Sequence, residues 1–193
     1  SDVYKRQDER KWIERILAGD TQSFSCLVAK YEKMAYTIAL HILENREEAE
    51  EAVQDAFVKM YRALSDFHFD SKFSTWFYRI VYRTALTALR QQRMFVSYEE
   101  AGPVDLSNDE VESATALLER EDRKEMIART LKKLPADEAL LLTLYYLEEC
   151  SVEEICQITE LSASNVKVKL FRGRKRFYEV LQDKMKLETA DLL

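Results

Sequence analysis

Apolar residues recur at intervals of three and four along most of this chain, the spacing of one buried face of an α-helix. The most regular series follows Asn45 and predicts a helix. That series is Ala49, Ala52, Val53, Ala56, Phe57, Met60, Tyr61 and Leu64. Asn45 suits the N-cap position, with Glu48 as its reciprocal partner. Similar series predict one helix around residues 24–38 and another from about Ser71 to Arg90.

A second set of helices is predicted after residue 118. One apolar face runs from Met126 to Leu134, and Pro135 suits the first turn of the next helix. Ser151 and Glu154 form a capping box for a short helix. Ser162 caps a longer one, which buries an apolar face of Val166, Leu170 and Phe177. A short helix, a tight turn and a longer helix predict a helix-turn-helix, whose second helix can enter the DNA major groove.

Composition favours an all-α fold with few connections, since the 193 residues include only three glycines and two prolines. Residues 97–118 contain six acids, no base and the only Gly-Pro pair. We therefore predict two small helical domains, at residues 8–92 and 119–186, joined by an acidic linker over residues 93–118. The linker is either a solvated spacer or a segment with a binding role.

Positive charge is concentrated although the chain has a formal net charge of −6. The stretch "NVKVKLFRGRKRF", residues 165–177, holds six Lys/Arg and no carboxylate. Such a cluster is best explained by an anionic partner, here DNA phosphates and base edges. A generic helix hairpin with a charged face is the alternative. Gly173 is unexpected there, because glycine inside a helix costs about 1 kcal/mol relative to alanine.

Two further charged faces lie in the first half. Lys72, Arg79, Arg83 and Arg90 fall on one side of their predicted helix, bordered by Trp76 and preceded by the aromatic stretch "DFHFDSKFSTW". A cationic stripe beside aromatic rings suits single-stranded DNA, because the cations can bind successive phosphates while the rings stack on the bases. The alternative is that the aromatic residues are all core. The helix after Asn45 carries an acidic face, which is either simply solvated or a docking surface.

Nothing in the sequence predicts an enzyme, a metal site or a cofactor. His41 and His68 are isolated, and no Gly-rich phosphate loop occurs. Cys26, Cys150 and Cys156 lack a metal-binding or disulfide spacing, which favours thiols in a reducing compartment. With no apolar run of membrane-spanning length and no signal peptide at its start, the chain is expected to be cytoplasmic.

The order of these pieces resembles a bacterial RNA polymerase sigma factor of the extracytoplasmic-function (ECF) class. The resemblance rests on "AVQDAF", "FSTWFYRIVYRTALTALR" and "KKLPADEALLLTLYYLEECSVEEICQITELSASNVKVKLFRGRKRF", in that order and spacing. It implies a subunit that binds core polymerase, directs it to −10 and −35 promoter elements and promotes DNA opening. It also implies an anti-sigma protein as a partner.

The resemblance implies three sets of site residues. Those for core polymerase, through the coiled coil of its β′ subunit, are Glu47, Glu51, Gln54 and Asp55, with Phe57 in the core. Those for the −10 element are Phe67, Asp70, Lys72, Ser74, Thr75, Trp76, Arg79, Arg83 and Arg90. Those for the −35 element are Ser162, Asn165, Lys167, Val168, Lys169, Phe171, Arg172, Arg174 and Lys175.

The sequence also departs from the family pattern. Arg83 stands where the family usually has Asn, Thr87 where it often has Asp, and Glu160 where a turn glycine is common. Val168 replaces a common small polar residue. The promoter preference is therefore open. Two other functions stay possible at this point: a sigma-like decoy that binds an anti-sigma protein, and an ordinary helix-turn-helix regulator. The intact basic sets disfavour the decoy, and the ordinary regulator leaves residues 46–90 without a purpose.

Overall fold

The computed structural model describes the backbone of residues 2–96 and 118–190 and the side chains of residues 8–93 and 124–183. This part of the chain contains no strand, which confirms the all-α prediction. Its helices are α1 Asp2–Leu17, α2 Thr21–Leu43, α3 Arg46–Ala63, a 3-10 turn at Leu64–Asp66, α4 Phe73–Val96, α5 Leu118–Leu131, α6 Ala136–Tyr146, α7 Val152–Thr159 and α8 Ala163–Ala190. The predicted linker falls mostly on residues 97–117, outside the described residues.

Side chains at the helix starts satisfy backbone N–H groups that lack partners within the helix. Asn45 caps α3 by accepting a hydrogen bond from the backbone N–H of Glu48 at 3.1 Å. The reciprocal bond predicted from Glu48 is replaced by another contact, because the Glu48 carboxylate accepts a hydrogen bond from Gln92 Nε2 at 2.9 Å. The capping box of Ser151 and Glu154 is present at the start of α7. Ser162 Oγ accepts a hydrogen bond from the backbone N–H of Asn165 at 3.3 Å, as predicted for α8.

The first helical unit is built by α2, α3 and α4, which pack against one another, with α1 against α2. Aromatic side chains fill its centre. Phe57 is buried, as predicted, and its ring lies 4.8 Å from that of Phe77, while Tyr31 lies 5.3 Å from Phe73. Burial of such large side chains is worth about 1.5–3 kcal/mol each, so these rings dominate the stability of the unit.

In the second unit α8 packs on α5, α6 and α7. Val166 and Leu170 are buried, as the apolar series predicted. Gly173 is explained by the packing of α8 on α6, because a Cβ at this position would lie 3.2–3.3 Å from Leu142 and from Glu138 Cβ. Because glycine has no side chain, the two helices can approach closely here. This close packing offsets the low helix propensity of glycine.

The two units pack directly against each other. Helix α7 lies against α4, and α6 lies against α2. The buried apolar side chains, from Ile13 in α1 to Leu170 in α8, form one continuous cluster through both units. The described part of the chain is therefore in a closed arrangement, and this arrangement determines which charged faces are accessible.

Candidate nucleic-acid interface

The acidic face of α3 is open to solvent. Its members Glu47, Glu51, Gln54 and Asp55 are all exposed, whereas the opposite face of α3 is buried against α2 and α4. Asp55 pairs with Lys59 one turn later at 2.7 Å, so its charge is partly compensated within the helix. This face is therefore available to a partner without any rearrangement.

The basic face of α8 is also exposed. Lys167, Val168, Phe171 and Arg172 point outward, and Phe171 is 64% exposed although it is large and apolar. Neither Lys167 nor Arg172 has an ion-pair partner among the described residues. Exposed cations without a direct ion pair, beside exposed apolar side chains on the second helix of a helix-turn-helix, suit contacts to phosphates and base edges.

The other α8 positions differ in their contacts. Lys169 forms an ion pair with Asp137, and Arg174 Nη1 donates a hydrogen bond to the Tyr146 hydroxyl at 3.3 Å. Lys175 is exposed, 4.0 Å from Glu179. Ser162 and Asn165 are exposed at the start of α8, where Ser162 caps the helix. Lys167 and Arg172 are thus the more available cations of this face.

The aromatic loop before α4, residues 67–72, is partly buried and partly exposed. Phe67 is buried, with its ring 4.7 Å from Phe69, 5.4 Å from Phe73 and 5.0 Å from Trp76. Phe69 is 41% exposed, has a positive φ of 62°, and lies under the Arg10 guanidinium at 5.0 Å. Among these rings Phe69 is the most exposed to solvent, although its position in the sequence does not distinguish it from Phe67.

The remaining loop and helix-start residues vary in exposure. Asp70 is exposed, Ser74 and Trp76 are partly buried, and Thr75 is 2% exposed. Thr75 Oγ1 lies 3.5 Å from Glu154 Oε1 at the start of α7. In the closed arrangement the second unit thus contacts part of the surface predicted to bind the −10 element.

The basic stripe of α4 consists of Lys72, which directly precedes the helix, and of Arg79, Arg83 and Arg90. Its first three members face the second unit. Lys72 Nζ lies 2.9 Å from Glu154 Oε1. Glu160 Oε1 accepts hydrogen bonds from Arg79 Nη2 at 3.2 Å and from Arg83 Nε at 2.9 Å. Arg90 is exposed and has no ion-pair partner among the described residues. Three of the four stripe cations are therefore paired across the boundary between the units.

These contacts change the ionisation of the acids. Hydrogen bonds from Arg83 and then from Arg79 lower the pKa of the Glu160 carboxyl. Partial burial opposes ionisation of Glu154, but hydrogen bonds from the Ser151 backbone and from Lys72 outweigh it and lower its pKa. Both carboxylates are therefore held in the charged form that pairs with the stripe.

A third contact joins the units at a buried position. The Tyr78 hydroxyl donates a hydrogen bond to Glu148 Oε2 at 2.7 Å, and Tyr78 itself is 2% exposed. Burial and the adjacent Glu148 carboxylate raise the pKa of Tyr78, so it stays a neutral donor. Sequence reasoning did not single out Tyr78, Glu148 or Glu154 as contacts between the units. Only Glu160 carried a signal, as a charged residue at a turn position where glycine is common.

No set of three or more His, Cys, Asp or Glu side chains is arranged to hold a metal ion within the described regions. Across the same regions, none of the helices is both long and apolar enough to cross a bilayer.

Comparison with known proteins identifies both halves of the chain. Residues 27–94 match the family model "Sigma-70 region 2", and residues 124–177 match "Sigma-70, region 4". The chain is 30% identical to the RNA polymerase sigma-H factor of Pseudomonas aeruginosa over 92% of this chain and 95% of that protein. It is 31% identical to the ECF RNA polymerase sigma-E factor of Escherichia coli K12, over 84% and 88% respectively.

Two solved structures share the fold. One is the sigma factor RpoE of Bartonella quintana in complex with the anti-sigma factor NepR, with a TM-score of 0.65, 18% identity and coverage of 84% of this chain and 98% of that one. The other is CnrH in complex with the cytosolic domain of CnrY, with a TM-score of 0.60, 21% identity and coverage of 91% and 98%.

Proposed function

Because this chain belongs to the ECF sigma factors of bacterial RNA polymerase, and so acts as an alternative sigma factor in transcription initiation, we propose how its surfaces divide that work. The acidic face of α3 binds core polymerase. The α4 stripe and the aromatic loop before it bind and melt the −10 element. The basic face of α8 reads the −35 element. Residues 8–92 and 119–186 are the two functional units.

The observation that supports this proposal most directly is the exposure of two cations on α8. Lys167 and Arg172 are exposed and unpaired among the described residues, on the recognition helix of a capped helix-turn-helix. DNA phosphates and guanine edges supply acceptors for such exposed cations, and Lys167 and Arg172 need break no ion pair to reach them. The roles of the α3 face and the α4 stripe follow from the family and from their charge.

The polymerase itself carries the catalysis, and this chain acts as its DNA-binding regulator. The proposal assigns no reaction to any of its residues, and no cofactor. Its partners are core polymerase, through the β′ coiled coil and the β subunit, and promoter DNA.

The first test is in vitro transcription of fragmented host genome by core polymerase, with and without the protein. New start sites that share paired upstream elements are expected. If core is bound without new transcripts, the chain is either a factor held inactive or a decoy. If core is not bound at all, an ordinary helix-turn-helix regulator becomes the better account.

The division of labour is tested with two double variants. Lys167→Ala with Arg172→Ala should reduce promoter-directed transcription about tenfold or more while core binding is retained, since each specific contact is worth about 1–3 kcal/mol. Lys132→Ala with Lys133→Ala is the matched control, because it removes two exposed lysines of the same unit outside α8. Loss of core binding in the α8 variant would contradict the assignment.

On the acidic face of α3, charge reversal is expected to affect core binding itself. Gln54→Lys with Asp55→Lys should weaken core binding, because it reverses the charge of the proposed docking face. Gln22→Lys with Glu32→Lys makes the same change at two exposed positions of α2 and should bind core normally. Equal loss in both variants would show a general effect of net charge and refute a role for the α3 face.

We further infer that an anti-sigma protein restrains this chain, as the family resemblance implies. The Bartonella quintana protein that shares the fold was solved with such a partner. Tagged chain should retain from its host's extract a protein that blocks the transcription assay when added back in purified form. A retained set of proteins with no such inhibitor would count against this partner.

A further inference from the structure

Two apolar side chains lie at the centre of the basic face of α8. Val168 is 45% exposed and Phe171 is 64% exposed, although valine and phenylalanine are usually found in the core. The two positions are three apart, so their side chains are neighbours on the helix surface. At about 100° per residue, the exposed Lys167 falls on one side of them and the exposed Arg172 on the other. We call Val168 and Phe171 the apolar pair.

The packing of α8 fixes the direction in which Val168 points. Val166 and Leu170 are both buried against the rest of the second unit. Val168 is two positions from each of them, which is about 200° around a helix of 3.6 residues per turn. Its side chain therefore points away from the core. It lies in the second turn of α8, which begins at Ala163, and in a helix-turn-helix the first turns of this helix contact base edges.

An apolar side chain at such a position favours one kind of base edge. In the major groove thymine presents its C5 methyl group, whereas the other bases present mainly hydrogen-bond donors and acceptors. A valine against a donor or acceptor would displace water from it without replacing the hydrogen bond, which costs free energy. Against a thymine methyl, the same valine buries apolar surface and leaves no polar group without a partner.

We propose that Val168 selects thymine in the −35 element, through contact between its side chain and the C5 methyl group of that base. This inference rests on the proposed role of α8 in −35 binding and names the base that α8 selects. Phe171 extends the apolar contact along the same groove. Lys167 and Arg172 bind phosphates or guanine edges on either side of it.

Val168 is also the member of the apolar pair that distinguishes this chain. It stands at a position where the family commonly has a small polar residue. A hydroxyl group both donates and accepts hydrogen bonds, so it can contact several kinds of base edge, whereas a valine side chain can do neither. The valine is therefore expected to narrow the choice of base at one position of the −35 element.

The test removes the methyl group and leaves the base pair intact. The −35 element is first identified from the start sites used by core polymerase with this chain. Each of its thymines is then replaced singly by deoxyuridine, which lacks only the C5 methyl group and still pairs with adenine. The affinity of the assembled polymerase for each promoter fragment is measured by competition at one salt concentration. Replacement of the thymine that contacts Val168 should lower this affinity about fourfold, the value of one buried methyl group.

Val168→Ala shows whether the valine is responsible. In this variant the loss of affinity caused by uracil should fall from about fourfold to less than about twofold, because the methyl group has lost its partner. An effect of uracil on the shape of the DNA would persist in the variant. Leu147→Ala is the matched control, since Leu147 is a 55% exposed apolar residue of the same unit outside α8. The control should keep the full effect of uracil.

A methyl group on a different base gives the converse test. The base pair that contacts Val168 is changed to cytosine with guanine, and the cytosine is used with and without a methyl group at C5. Methylation should raise the affinity of the parent polymerase about two- to fourfold, because it returns an apolar group to the place that thymine provided. In Val168→Ala the gain should be less than about twofold.

Three outcomes would overturn thymine selection. The first is a −35 element without thymine, or one in which uracil has no effect at any position. The second is an equal effect of uracil in the parent and in Val168→Ala. The third is weaker core binding by Val168→Ala with unchanged DNA affinity, which would assign the apolar pair to a contact with protein.

Failure of the proposed function would look different. Lys167→Ala with Arg172→Ala tests whether α8 binds the −35 element at all. If this variant loses promoter-directed transcription while uracil is without effect, α8 binds the −35 element and only thymine selection fails. If it transcribes normally, the −35 role of α8 fails and thymine selection fails with it.

Discussion

The Tyr78 hydroxyl donates a hydrogen bond to Glu148 Oε2 at 2.7 Å and joins the middle of α4 to the turn after α6. The two residues are 70 positions apart and belong to different sigma regions. Tyr78 is almost fully buried, so this bond is shielded from water far more than the ion pairs around it, which join Lys72 to Glu154 and Arg79 and Arg83 to Glu160. The boundary between the units therefore combines a buried polar contact with a charged, partly exposed rim.

Tyr78→Phe should weaken the closed arrangement. The substitution removes one donor and leaves a carboxylate oxygen without it, which is expected to lower the free energy of unfolding by about 1–2 kcal/mol. Chemical denaturation of the full chain would measure this loss. Tyr61→Phe removes the same atom from a ring that is 47% exposed and should cost less than about 0.5 kcal/mol. Equal costs in the two variants would contradict a structural role for the bond.

The closed arrangement should weaken in acid. The pKa values of Glu154 and Glu160 are lowered in the closed form, from an ordinary value of 4.5. The part of the lowering that comes from Lys72, Arg79 and Arg83 stabilises the closed form above pH 4.5 and is lost as pH falls through the lowered values. The contribution of the Ser151 backbone to Glu154 lies at the start of α7 and does not depend on closing. The groups of the first unit that face these acids are the side chains of Lys72, Arg79, Arg83 and Tyr82.

Small-angle scattering between pH 7 and pH 3.5, with circular dichroism to confirm that the helices persist, would follow this opening. The variant Glu154→Gln with Glu160→Gln should be more open at pH 7 and should change less with acid. An equal pH response in the parent and the variant would assign the opening to other carboxylates.

Arg176 should matter for stability through a buried carboxylate. Glu138 on α6 is 5% exposed; its Oε1 lies 3.0 Å from Arg176 Nη1, and its Oε2 has no hydrogen-bond partner among the described atoms. Arg176→Ala would leave the whole carboxylate without its partner, which should cost about 1–3 kcal/mol.

Thermal unfolding would check this prediction, with Lys175→Ala as the control. Lys175 is 72% exposed and only 4.0 Å from Glu179, so its loss should cost less than about 0.5 kcal/mol. A melting temperature for Arg176→Ala that matches the control would show that Glu138 is stabilised without the arginine.

Gly173 should resist substitution although it lies inside a helix. Alanine would gain about 1 kcal/mol of helix propensity, but its Cβ would press on Leu142 Cγ and Glu138 Cβ at 3.3 Å, atoms close to the backbone of α6. Overpacking of this kind costs about 1–3 kcal/mol, so a small net loss is expected for Gly173→Ala and a larger one for Gly173→Val. A gain in stability for alanine, measured by chemical denaturation, would show that α8 can move away from α6.

Features that depend on neighbours within one helical turn could be predicted from the sequence. Asn45, Ser151 and Ser162 cap the helices predicted for them, because a cap needs only a short polar side chain three residues before a free N–H group. The all-α fold follows from apolar spacing and from the scarcity of turn residues. Membership in the sigma family was also evident from the order of the motifs. The site residues themselves remain predictions.

What the sequence could not supply depends on residues far apart in the chain. The use of Gly173 is visible only where α8 meets α6, and the Glu48 contact only where Gln92 of α4 reaches α3. The prediction that Glu48 is the reciprocal capping partner of Asn45 was wrong for that reason. The sequence pattern at a helix start contains no information about a side chain from another helix that bonds to the same carboxylate.

The sequence by itself determined helices α2 to α8, the caps at Asn45, Ser151 and Ser162, and the charged faces of α3, α4 and α8. Only the tertiary structure decided that the stripe on α4 meets Glu154 and Glu160 and that the α3 and α8 faces stay open. The physical reason is that a helix periodicity fixes the direction of a side chain about its own axis, whereas the relative placement of two helical units is set by packing along their whole boundary.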